Sequence, residues 1–60
     1  MPANEEAESL FDDANGHLAV GDFDEAIALY RRCVAIEPDF FDGWHALGMA
    51  LLKTGSIKEA

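Results

Sequence analysis

The sequence predicts an all-α fold, an antiparallel helical hairpin followed by a third helix, as at the start of an α-α solenoid. Three observations predict it. The stretch Asp22–Pro38 carries apolar residues at helical spacing between a start signal and a stop signal. The candidate N-caps Asp22, Asp39 and Ser56 recur every seventeen residues, and so do the breakers Gly21, Pro38 and Gly55. At an offset of thirty-four residues the chain pairs Leu10 with Trp44, Ala14 with Gly48, Gly21 with Gly55, Phe23 with Ile57, Glu25 with Glu59 and Ala26 with Ala60, keeping size and polarity. A two-helix unit with that period belongs to a helical-hairpin solenoid.

The elements follow in order. Asn4 can cap a first helix, about Glu5 to Val20, whose opening turn holds Glu5 and Glu6, where negative charge suits the helix dipole. Leu10, Ala14 and either His17 or Leu18 form its apolar face, with Phe11 beside them, and Gly21 stops it. Asp22 caps the second helix with Glu25 three residues on, a capping-box spacing. Ala26, Tyr30 and Cys33 fall at i, i+4 and i+7, flanked by Ile27 and Val34, while Arg31 and Arg32 face water. Pro38 ends that helix and pushes Glu37 out of helical geometry. Asp39 caps the third helix, with Asp42 three residues on and a stripe of Trp44, Leu47, Gly48 and Leu51 that Met49 and Leu52 widen. Gly55 ends it, and Ser56, with Glu59 three residues later, begins the pattern again.

Sixty residues bound this to one small domain, which buries only about 60% of its unfolded surface. Half the residues are hydrophobic, which argues against disorder. Four basic against twelve acidic residues give a net charge of −8, which disfavours nucleic acid and anionic membranes as partners and suits a basic or apolar protein surface. Residues 1–25 hold eight of the acids and no Lys or Arg, so the acidic side is either a solvated face or a docking surface. Cys33, the only cysteine, lies on the apolar stripe of the second helix and reads as a buried, inert thiol. No run reaches transmembrane length, and the acidic start lacks a signal-peptide pattern, so a cytoplasmic setting is expected. There is no glycine-rich phosphate loop and no nucleophile–histidine–carboxylate arrangement, and the carboxylates sit at caps and exposed turns. The reading is of a non-enzyme without cofactor or metal.

The residues resemble the tetratricopeptide repeat (TPR), whose signature W-x2-L-G-x2-Y, A-x3-F, P is split here over two copies. Trp44, Leu47, Gly48 and Leu51 match the first half, with Leu for Tyr. Ala26, Tyr30 and Pro38 match the second, with Tyr for Phe. The resemblance implies a TPR-type α-α solenoid fragment of about one and a half repeats. Residues 1–6 would be a tail or helix start, 7–40 repeat one, and 41–60 repeat two, truncated after its first helix. It also implies that Gly48 and Ala26 sit where helices approach closely, and that Tyr30 and Trp44 fill gaps between helices. The first helix departs from the pattern, with Asp13–Ala14 for Leu–Gly and His17 for Tyr. Asp13 and His17 share a helix face, either as a polar outer surface of a first repeat or as a titrating pair at a contact between copies.

The family binds peptides or protein segments on a concave face built by the first helix of each repeat. By resemblance that groove would draw on Glu8, Phe11, Asp12, Asn15 and Leu18, together with Asp42, His45, Met49, Leu52 and Lys53. A carboxylate clamp, as in some members, is expected to be absent, because Phe11 stands where the clamp needs lysine and Asp42 is acidic. Phe11, Leu18, Met49 and Leu52 make either an apolar binding patch or a surface that a neighbouring helix covers. Repeats bury their faces on neighbours, so the chain reads as an N-terminal excerpt of a longer array or as a module whose copies associate. Trp44, Leu47 and Leu51 would be the self-association face, and a homo-oligomer is expected in isolation. The functional expectation is therefore a protein–protein interaction module. The alternatives are a self-assembly module in which repeat faces stack and the regulatory part of a larger protein.

Overall fold

The computed structural model describes the backbone of residues 5–59 and the side chains of residues 5–55. Three α-helices follow one another: α1 (Glu5–Ala19), α2 (Phe23–Ile36) and α3 (Phe41–Glu59). Helix α2 is central, with α1 packed along one side and α3 along another, and the assembly is elongated, 43 Å in its longest dimension. The expected all-α architecture is therefore present. The Asn4 cap and the side chains of Ser56, Ile57, Glu59 and Ala60 lie outside the described residues.

The α1–α2 corner is set by backbone hydrogen bonds. Gly21 takes the positive φ of 85°. Its amide donates to the Leu18 carbonyl at 3.1 Å, and the Asp22 amide reaches the His17 carbonyl at 2.8 Å. That pair of bonds is the Schellman arrangement, which requires a left-handed residue at the position Gly21 holds. It makes Val20 the flanking residue, so α1 stops at Ala19, one residue earlier than expected. Gly21→Ala should cost about 1 kcal/mol, because a side chain is disfavoured at that φ; urea unfolding followed by circular dichroism measures it.

Asp22 does not cap α2 through its side chain. Its Oδ2 instead lies 3.2 Å from His17 Nδ1, clasping the ends of the two helices, while its carbonyl accepts from the Ala26 amide at 3.1 Å. The capping-box expectation fails because the Asp22 amide is already committed to His17 and its carboxylate is turned towards the imidazole.

At the α2–α3 corner the Phe40 amide donates to the Glu37 carbonyl at 3.0 Å, a β-turn with Pro38 at its second position, where a fixed φ suits it. Asp39 belongs to this turn, and Phe40 precedes the first residue of α3, its carbonyl accepting from Gly43 and Trp44. The expected Asp39 cap is thus displaced by one residue, since the turn consumes Asp39.

Ala7, Leu10 and Ala14 from α1, Ala26, Leu29, Tyr30, Cys33 and Val34 from α2, and Leu47 and Ala50 from α3 form the core. Arg31 and Arg32 are exposed, as the periodicity requires. Helix α3 differs from expectation. Its packed side is Gly43, Leu47 and Ala50, whereas Trp44 is 48% and Leu51 43% exposed. A Cβ on Gly43 would sit 3.1 Å from Val34 Cγ1 and 3.3 Å from Cys33 Sγ. The close approach therefore occurs at Gly43, and the expected one at Gly48 does not, because nothing lies within 4 Å of a Cβ there. Trp44 consequently does not fill an interhelical gap, whereas Ala26 and Tyr30, both fully buried, do what was expected of them.

Gly55 does not end α3, which continues to Glu59. Extending an existing helix adds one hydrogen bond per residue fixed, and Gly55, which lacks a positive φ, does not interrupt it. The equivalence of Gly21 and Gly55 thus fails locally, since Gly21 alone among the described glycines has positive φ.

Candidate functional site

The ten groove residues expected from the sequence divide into two groups. Phe11, Asn15 and Leu18 are engaged in the hairpin. The Phe11 ring centroid lies 5.9 Å from that of Tyr30 and 5.1 Å from that of Phe40, so this ring ties α1 to α2 and to the start of α3. Asn15 accepts a short hydrogen bond from the Tyr30 hydroxyl, and Leu18 packs on the core. Glu8 and Asp12 on α1, and Asp42, His45, Met49, Leu52 and Lys53 on α3, are exposed. The apolar patch is therefore thinner on α1 than expected and richer on α3, where Leu52 is 69% exposed.

The self-association residues also divide. Leu47, at 8% exposure, is a core residue, which corrects its assignment to an open face, while Trp44 and Leu51 remain accessible. Leu47 is buried because α3 presents the Gly43 side to α2, which turns Leu47 inward beside it. Asp13 is exposed, and the structure pairs His17 with Asp22, so of the two readings of this face the structure does not form the Asp13–His17 couple.

A cleft that sequence reasoning missed opens between α2 and α3. Arg31, Val34, Ala35 and Pro38 form one wall, and Trp44 and Leu47 the other, around about 640 Å³. The Trp44 indole N–H donates to the Pro38 carbonyl at 2.9 Å, which fixes the ring as a wall. The signal was available, since Arg31, Val34 and Ala35 lie at i, i+3 and i+4 on one face of α2 and Pro38 follows in the turn beyond its end.

The buried hydroxyl and thiol at the centre of α2 suit packing and not chemistry. Burial pushes the Tyr30 hydroxyl above its usual value, the Cys33 thiol adding to the shift. Burial likewise pushes up the Cys33 thiol, which is fully enclosed. Both groups are neutral in the fold and ionise more readily once unfolded. Their contribution to stability is thus complete below the unfolded-state values of about 8.5 and 10 and is lost as pH rises through the higher folded values. Thermal melts should show a falling midpoint above about pH 9, and native Cys33 should react with a thiol reagent only at the rate of unfolding. Among the described residues no group of three or more His, Cys, Asp and Glu side chains could hold a metal ion. No described helix is long and apolar enough to cross a membrane.

A family model described as TPR repeat matches residues 13–55. Comparisons with curated proteins and with solved structures returned no match.

Proposed function

We propose, since the chain belongs to the tetratricopeptide repeat family, that it is a non-catalytic module that holds a protein segment against the exposed sides of α1 and α3. The observation that supports this most is the presence of two chemistries on the two helices that flank α2. Glu5, Glu6, Glu8 and Asp12 are exposed on α1, and Met49 and Leu52 are exposed on α3. A basic, apolar segment matches both, because opposite charge speeds encounter while apolar contact supplies affinity. The setting proposed for this activity is the cytoplasm.

A lysine-rich amphipathic peptide titrated into labelled protein should shift the amides of Glu8, Asp12, Met49 and Leu52. Glu8→Lys with Asp12→Lys should weaken binding at least tenfold at low salt. The difference should shrink near 1 M salt, where the screening length falls to about 3 Å. Equal binding by the charge-reversed protein, or shifts confined to the outer side of α2, would contradict the reading.

The exposure of Phe41, Trp44, Met49, Leu51 and Leu52 supports a second reading, self-assembly through α3. Exposed apolar side chains grouped on one helix mark a surface that a neighbour covers.

A further inference from the structure

Helix α3 carries a self-complementary seam that flanks its contact with α2, roughly a quarter to a third of a turn round from Gly43, with the Trp44 ring at the edge of the α2–α3 cleft. Phe41, Trp44, Gly48, Leu51 and Gly55 follow one another at steps of three and four, the spacing of a coiled-coil contact line. Phe41 is 74% and Leu52, beside the line, 69% exposed, and a Cβ on Gly48 or Gly55 would meet nothing within 4 Å. None of the acidic residues lies on the seam, although the chain carries a net charge of −8 and eight acids fall within residues 1–25. The charge is thus segregated from this line, which a contact between like-charged copies requires.

We infer that the seam is the contact of a two-fold dimer in which α3 crosses α3 of a second copy antiparallel at Gly48. This deepens the self-assembly reading and rests on it. The register supplies the argument. With Gly48 on Gly48, Phe41 stands opposite Gly55 of the second copy, and Trp44 opposite its Leu52. Each aromatic ring meets a glycine or an exposed aliphatic chain, and the glycines let the backbones approach where the helices cross. A two-fold axis repeats every contact, so one helix provides both halves of the interface. The four exposed apolar side chains hold roughly 500 Å² per copy, so their mutual burial reaches about 1,000 Å², the lower bound of a specific contact. The dimer is weak and concentration-dependent.

Sedimentation velocity over a dilution series, with the chain as it stands, tests this. The wild type should reach twice its protomer mass as concentration rises towards about 1 mM. Leu52→Glu, at an exposed position, should remain a protomer with unchanged helical circular dichroism. Gly48→Cys should oxidise to a covalent dimer, since the axis brings the two residues together, while Ala35→Cys in the α2–α3 cleft should not; the enclosed Cys33 stays out of the reaction. A wild type that remains a protomer throughout overturns the seam and the self-assembly reading together. A dimer that survives Leu52→Glu and is cross-linked through Ala35→Cys overturns the seam alone and leaves stacking through the cleft.

Discussion

Tyr30→Ala is expected to leave the chain largely unfolded at 25 °C. Tyr30 is fully buried at the centre of α2, packs on Phe11 and donates to Asn15. Truncating a buried aromatic costs about 3–5 kcal/mol, against a total of roughly 3–9 kcal/mol for a domain of this size. Circular dichroism at 222 nm should lose most of its helical signal. Tyr30→Phe keeps the ring and removes only the hydroxyl bond to Asn15, so it should lose about 1 kcal/mol and remain folded. If both variants were equally destabilised, the hydroxyl and not the ring would be the centre of the hairpin.

The second large effect is at Gly43. A Cβ there would already press on Val34 and Cys33, so the branched side chain in Gly43→Val must push α3 away from α2. Overpacking of this kind costs about 1–3 kcal/mol. The loss should fall on the α2–α3 contact, leaving the α1–α2 hairpin in place. Hydrogen exchange would show it as protection lost in α3 and retained in α1. Gly48→Ala is the control, since open space surrounds that position. In dilute solution it should stabilise the protomer by up to about 1 kcal/mol through helix propensity alone.

Much of the fold was legible because its signals are local. Gly21 and Pro38 fix the two corners by backbone chemistry, and Ala26, Tyr30 and Cys33 mark the buried side of α2 by spacing alone. The orientation of α3 was not legible in the same way. That helix is apolar around most of its circumference, so periodicity does not single out one side. The signature residues Trp44, Gly48 and Leu51 drew attention to a face that the structure leaves open. The line Gly43–Leu47–Ala50 has equally good helical spacing, but two of its members are small, and small residues weigh little in a hydrophobic pattern. What selects that line is the nearness of Val34 and Cys33, which is a tertiary fact.

The same reasoning explains the partial success at the caps. Asp22 and Asp39 have the right residue type near the right place, but their backbone and side-chain groups are claimed by the corners. The Asp22 carboxylate goes to His17, and Asp39 goes to the Pro38 turn. The candidate groove was readable as a set of positions on α1 and α3. The engagement of Phe11 with Tyr30 and Phe40 was not, because it depends on where the α2–α3 corner places the Phe40 ring.

The rotation of α3 about its own axis decides which residues remain available for recognition, for the cleft and for the seam. Nuclear Overhauser contacts between the Gly43 α-protons and the Val34 methyl groups measure that rotation directly. A strong contact there, with none from Gly48 to Val34, is the predicted result. Contacts from Gly48 and Leu51 to Val34 in its place would turn α3 by roughly a quarter to a third of a revolution. That would bury the seam and contradict the surfaces assigned to this chain.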